Sequence, residues 1–158
     1  MQIQIRVYQS GDLAELKRLT LEGFEGIAID QKVEEACGGA LNGHDWRWRK
    51  ARHIDDDVAA NPAGVFVAEA DGKVLGYITT RIDHELGKGR IPNLAVDAST
   101  RGQGLGRKLI EHALAYFRAE GMEYAMIETM AYNEVGNHLY PSCGFKEVGR
   151  QIHFAMKL

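Results

Sequence analysis

Apolar and polar residues alternate from Ile3 to Tyr8, with Ile3, Ile5 and Val7 on one side, which predicts a strand with one buried face. Ser10 stands where an N-cap belongs, and Leu13, Leu16 and Leu19 follow at helical spacing. Between Gly38 and Asn61 the pattern weakens to a polar helix with irregular flanks. Val65 to Ala68 and Val74 to Thr80 then flank Asp71-Gly72, a pair that favours a tight turn, so a β-hairpin is expected. After a charged connection from Asp83 to Arg90, Ile91 to Val96 reads as the next strand. Leu105, Leu109, Ala113 and Phe117 keep one helical face, with Ile110 and Leu114 beside them, until Gly121 supplies a left-handed stop. Tyr124 to Thr129 predicts a strand and Asn133 a cap on a short helix; Gly144 to Gly149 and Ile152 to Leu158 predict two terminal strands. This order makes an α/β chain, a mixed sheet with helices packed on it.

A length of 158 residues with 45% apolar content is enough for one core, so a single domain over 1–158 is expected. The 19 Lys and Arg against 22 Asp and Glu leave a charge of −3, which argues against a protein that works on nucleic acid or an anionic membrane. No stretch approaches the roughly 20 apolar residues of a bilayer span, and Met1 to Tyr8 carries no signal-peptide core. Cys37 and Cys143 lie far apart, and the six His show no ligand spacing. Neither a metal site nor a disulfide is expected, and a reducing cytoplasm fits best.

The chemistry concentrates in Arg101-Gly102-Gln103-Gly104-Leu105-Gly106, between a strand and the first turn of a long helix. The first N–H groups of a helix lack intrahelical partners and lie at its positive end, so an anion there gains several hydrogen bonds at once. Glycines clear Cβ atoms from its approach, and Arg101, Arg107 and Lys108 add charge. A diphosphate suits this corner. A P-loop does not fit, because Leu109 follows Lys108 where Ser or Thr is required. The dinucleotide fingerprint fails too, its third glycine falling one place early at Gly106.

What matches is Arg-x-x-Gly-x-Gly. With Ile91-Pro92-Asn93-Leu94-Ala95-Val96-Asp97 before it and Asn133, Leu139-Tyr140 and Gly144-Phe145 after it, the chain resembles the GNAT (Gcn5-related) N-acetyltransferase family. The resemblance implies a three-layer fold: a mixed, mostly antiparallel sheet of about seven strands, flanked by helices, with a splayed central parallel pair. It implies acetyl-CoA as co-substrate, the diphosphate over Gly102, Gln103, Gly104, Leu105 and Gly106 with Arg101 and Arg107 beside them. The pantetheine arm would run along Leu94, Ala95 and Val96, whose exposed backbone would complete a broken ladder.

Asn133 and Tyr140 are seven residues apart, which puts both on nearly one helical face. By the resemblance Asn133 binds the pantetheine arm and Tyr140 protonates the departing thiolate. The bland alternatives are an N-cap for Asn133 and core packing for Tyr140. Pro141 bears on the tyrosine's aim, because a residue before proline is pushed from helical geometry. An ammonium cannot attack a thioester, so its proton needs an acceptor. The resemblance implies a Glu on the strand before the glycine loop, but Arg90 and Pro92 stand where it would be sought, and Asp97 reads as orienting the loop entry. Among Asp83, His84 and Glu85, the choice falls on Glu85, against a solvated charged loop or no base at all.

By the resemblance the acceptor side falls to His44-Asp45-Trp46-Arg47-Trp48-Arg49-Lys50, which by its own pattern reads as a solvated helix with buried Trp faces rather than a nucleic-acid contact. The expected activity is acetyl transfer to a primary amine of a small molecule or a peptide N-terminus by direct attack in a ternary complex. A noncatalytic acyl-CoA-binding module is the alternative. No nucleic-acid or membrane partner is expected; a homodimer is open.

Overall fold

The computed structural model describes residues 2–158. It runs β1 (Gln4–Val7), α1 (Leu13–Phe24), α2 (Ile29–Cys37), α3 (Trp46–Ala60), β2 (Phe66–Ala70), β3 (Lys73–Ile78), β4 (Arg81–Asp83), β5 (Lys88–Ile91), β6 (Leu94–Val96), α4 (Leu105–Ala119), β7 (Tyr124–Ile127) and α5 (Glu134–Ser142). β1, β2, β3 and β6 form one antiparallel sheet in that order, and β4, β5 and β7 form a second in which β5 and β7 are parallel.

Alternate residues of β2 explain the layering. Phe66, Ala68 and Ala70 pack with Leu109, Ile110, Ala113 and Phe117 of α4 on one face. On the other, Val67 joins Val74 and Tyr77 against Leu16 and Leu19 of α1 and Ile54 of α3. A strand covered on both faces reads as a continuous apolar run, as Val65 to Ala68 does. Helices therefore sandwich the sheet.

The expected hairpin forms, with Asp71 at φ 52° and Gly72 at φ 74°, the left-handed pair that matches strand twist. The long helix ends as its sequence predicts, with Gly121 at φ 79°.

Four expectations are corrected. Ser10 does not cap α1; it opens a short 3-10 turn, and the Asp12 carboxylate accepts from the Gln9 amide at 2.8 Å and binds Arg6. Helix α2, in a stretch for which no element was expected, precedes the polar helix α3, capped by Asp45 accepting from the Trp48 amide at 2.9 Å. Ile91 to Val96 is not one strand. Residues 144–158 form no strand at all.

The break in the central strand follows from the hairpin that crosses both sheets. Ile78 pairs with Leu94 and Arg81 with Arg90, so two residues, Thr79 and Thr80, oppose three, Ile91, Pro92 and Asn93. That is a bulge, and a bulge bends its strand. Pro92 lacks the N–H an unbroken ladder would use.

Candidate functional site

The bulge opens a wedge between β6 and β7. β5 pairs with β7 as far as Ile91 and Ile127, after which β6 follows β3 instead. The Asn93 carbonyl accepts from the Thr79 amide and the Asp97 amide donates to the Leu75 carbonyl, so alternate residues 93, 95 and 97 turn their backbone toward β3. Leu94 and Val96 therefore turn theirs away, into the wedge. The splayed parallel pair expected from the sequence is present, with the two halves of the strand in different sheets.

At the end of β6 the Asp97 carboxylate accepts from the Ser99 hydroxyl at 2.6 Å and the Ser99 amide at 3.0 Å, and from Arg18 at 3.2 Å. These bonds, those from Ser99 foremost, hold its carboxyl down at about 2. Asp97 orients the loop entry. Beyond it, Gly102 and Gly104 sit at φ 76° and 80°, and a Cβ at either would meet nothing within 4 Å. The first α4 bond runs from the Lys108 amide to the Gly104 carbonyl, and no side chain caps the helix. Among the described residues the amides of Leu105, Gly106 and Arg107 thus have no protein acceptor.

The side chains divide. Arg101 is exposed at the loop, whereas Arg107 is drawn to the end of α5, donating to the Ser142 hydroxyl at 2.7 Å and its carbonyl at 3.0 Å. Gln103 donates back to the Ser99 carbonyl. Gly106 faces α5, where its Cβ would come 3.4 Å from Leu139.

Helix α5 carries Asn133 and Tyr140 on one face, as their spacing predicts. Asn133 is an N-cap in fact: its Oδ1 accepts from the Gly136 amide at 3.3 Å while Nδ2 donates to Thr129 at 2.7 Å. The Tyr140 ring lies over Gly136, whose Cβ would come 2.9 Å from it. Pro141 does not deflect Tyr140, because α5 continues through it to Ser142. Burial raises the Tyr140 phenol above its ordinary value, with Cys143 adding to the effect, so it keeps its proton at neutral pH.

On the α3 side of the bulge lies a polar pocket of about 200 Å³. Asn93 is its hinge: Nδ2 donates to Asp57 at 2.7 Å and Oδ1 accepts from the Lys50 ammonium at 2.6 Å. Asp57 is fully engaged, taking Thr79 at 2.8 Å on the same oxygen and Arg81 at 2.9 Å on the other. Lys50 is 7% exposed and sits 3.9 Å from the centre of the Phe24 ring. Burial lowers it to about 8. The charged form therefore costs stability below about 8, and that cost fades as pH climbs toward the ordinary 10.5. Arg90 reaches across to Glu128, just beyond β7, with its nitrogens 3.2 and 3.3 Å from the carboxylate.

Glu85 is elsewhere. It is exposed in the turn joining β4 to β5, at the far end of β5 from the wedge, with Asp83 and His84 beside it. The hairpin tip keeps all three out of this arrangement.

The family model described as "Acetyltransferase (GNAT) family" matches residues 29–145, most of the chain. The chain belongs to the GNAT acetyltransferase family. Proteins called mycothiol acetyltransferase are similar to it: one from Streptomyces avermitilis is 34% identical over 60% of this chain and 32% of its own length. Another, from Propionibacterium freudenreichii subsp. shermanii, is 31% identical over 87% of this chain and 46% of its own. The chain thus spans between a third and a half of the length of these relatives. Among solved structures, PH1933 from Pyrococcus horikoshii OT3 superposes with a TM-score of 0.75 at 25% identity, covering 95% of this chain and 92% of that one. The PaiA N-acetyltransferase from Thermoplasma acidophilum, solved with coenzyme A, gives 0.74 at 20% identity, covering 92% and 91%.

In this GNAT chain the wedge, the α4 amides and the Asn133–Tyr140 face are the parts that sequence reasoning located. The polar pocket was missed, because its bonds join residues 36 and 43 positions apart. Glu128 was missed as well. Its signal was a carboxylate at the end of the apolar run Tyr124 to Ile127, where β7 leaves the ladder.

Proposed function

We propose that this chain transfers an acetyl group from acetyl-CoA to a primary amine of a small molecule or a peptide N-terminus. The reading rests on the row of unbonded amides at Leu105, Gly106 and Arg107, opening at the wedge where Leu94 and Val96 present free backbone. The fit is chemical: these are donors, and a diphosphate and a pantetheine amide supply the acceptors. Bound there, the thioester supplies the activated acyl group. Leu94, Ala95, Val96 and the loop from Arg101 to Gly106 position it, with Arg107 and Asn133 fixing the α4 and α5 walls.

Tyr140, proton retained, serves as the acid toward the sulfur. Glu128 takes the place that sequence reasoning gave to Glu85: it lies where β7 leaves the ladder, bound to Arg90, which lines the polar pocket. It accepts the ammonium proton, directly or through water. The domain spans 1–158, and free Cys37 and Cys143 suit a reducing cytoplasm. Among the described residues no helix is long and apolar enough to cross a membrane.

Incubation with acetyl-CoA and a panel of amines, amino acids, polyamines and peptides, read by mass spectrometry, tests the activity. Acetylated product with release of free CoA thiol is the expected result. Binding of acetyl-CoA with no product from any amine would instead support the noncatalytic module.

A homodimer is the partner the surface supports. Residues 146–158 form no backbone bonds among the described residues and expose Ile152, Phe154, Met156 and Leu158 at period two, while the outer edge of β7 is unpaired. One chain thus carries both an open edge and an unpaired strand pattern, and two copies exchanging them satisfy both. Light scattering is expected to give a dimer mass, and the double change Ile152→Glu, Phe154→Glu a monomer. A monomeric parent protein would sink the proposal.

A further inference from the structure

The polar pocket at the bulge holds a buried cation that no carboxylate meets directly. Lys50 is 7% exposed, makes a single hydrogen bond, and makes it to a neutral amide oxygen, Asn93 Oδ1, at 2.6 Å. It enters no ion pair among the described residues. A buried ammonium left in this state is costly unless an anion meets it. The carboxylate that could serve, Asp57, has both oxygens committed to Thr79, Asn93 and Arg81. Across the pocket, Arg81 spends one nitrogen on Asp57 and leaves its buried Nε without a partner. Two donors on positive groups, Lys50 Nζ and Arg81 Nε, therefore line one small cavity, and the carboxylates that line it with them are Asp57, already committed, and Asp56, which is exposed.

We infer that this pocket receives the carboxylate of the acceptor, so that the amine substrate is an amino acid or a similarly compact amine bearing an acid group. The inference rests on the reading that the acceptor enters from the α3 side of the bulge. Lys50 Nζ and Arg81 Nε supply charge-assisted donors, the stronger class of hydrogen bond. A volume of about 200 Å³ admits a small acid-bearing head and leaves the rest of the acceptor outside.

Asn93 gives the arrangement its point. It lies on the bulge between β5 and β6, so the group that steadies Lys50 also shapes the mouth of the wedge. A carboxylate anchored at Lys50 holds the neighbouring amine beside the splayed strands, where positioning accounts for much of the rate in such transfers. Other ionisable groups lie at or near the pocket: His53 and Asp56 from α3 and Arg90 from β5 line it, and Asp30 of α2 favours the charged form of Lys50 without an ion pair or hydrogen bond to it. The buried Asp30 Oδ2 makes no hydrogen bond and lies 3.5 Å from His53 Nε2, Asp56 is exposed, and Arg90 is bound to Glu128. None of these carboxylates pairs with Lys50.

The test uses products, so that it does not depend on turnover. N-acetyl amino acids and the corresponding N-acetyl amino amides are titrated into the full chain by calorimetry. The acids are expected to bind about tenfold or more tighter than the amides. Lys50→Met should erase that preference without weakening the amides, and Lys50→Arg should restore part of it. Repeated near pH 8 in buffers of different ionisation enthalpy, acid binding should take up protons in the parent protein and none in Lys50→Met, because Lys50 gains its charge partner. Equal affinity for acids and amides, or an equal loss of both in Lys50→Met, overturns the inference. If acids are preferred through Lys50 while no amine is acetylated in the activity assay, the subsite stands and the transferase reading fails. If amines are acetylated with no acid preference, the transferase reading stands and the subsite is overturned.

Discussion

Gly104→Val is expected to weaken acetyl-CoA binding by about a hundredfold, the size of losing two hydrogen bonds to a charged group. Gly104 sits at φ 80°, where a β-branched residue is strained, and directly before the three amides that have no protein acceptor. A Cβ at this position meets no protein atom within 4 Å, so the main cost to the fold is the backbone strain, about 1–2 kcal/mol. Stability and binding thus separate. Thermal unfolding without ligand should show a shift of a few degrees, while the stabilisation that acetyl-CoA gives the parent protein should largely vanish. Gly104→Ala should fall between the two. Unaltered acetyl-CoA affinity in the valine variant would mean that the diphosphate does not lie on α4.

The second large effect concerns proton movement. Glu128→Gln keeps the size of the side chain, can accept only one of the two hydrogen bonds from Arg90, and removes the base, so kcat/KM at neutral pH should fall by about a hundredfold or more. The sign of the pH dependence identifies the step. As pH rises toward the amine's own ionisation, more acceptor arrives already neutral, and the variant should regain much of its loss. Tyr140→Phe should not behave this way. The phenol acts on the leaving sulfur, and burial keeps it protonated well beyond neutral pH, so its deficit should persist across the same range with acetyl-CoA binding intact. A Glu128→Gln deficit that does not shrink with pH would remove Glu128 from the proton path.

The readable part of this chain was local. Asp71-Gly72 announced its turn because both residues tolerate positive φ, and the α4 face announced itself because its apolar residues recur at one period. The glycine loop was legible for the same reason. The central strand was misread because apolar residues on both sides of Pro92 look continuous, and only the count of residues opposite them, across β4 and β3, reveals the bulge. The tail was misread in a different way. Ile152, Phe154, Met156 and Leu158 do alternate, but alternation marks a face and not the strand it pairs with, and within the single chain the open edge of β7 is left unpaired. Lys50 stood in the stretch given to the acceptor and Asn93 in the family motif, but nothing local joined them to Asp57, since one helix and one bulge bring the three together from distant positions.

The bulge has a mechanical consequence. Both strands of the long hairpin change sheet at the same level, Thr79 against Asn93, and the two sheets share no ladder beyond that seam. Each half can therefore breathe against the other like covers on a spine, at the cost of few backbone bonds. A molecule threaded through the opening would bind the halves into one body, so slow amide exchange in β6 and β7 would become a property of the complex that neither half possesses alone.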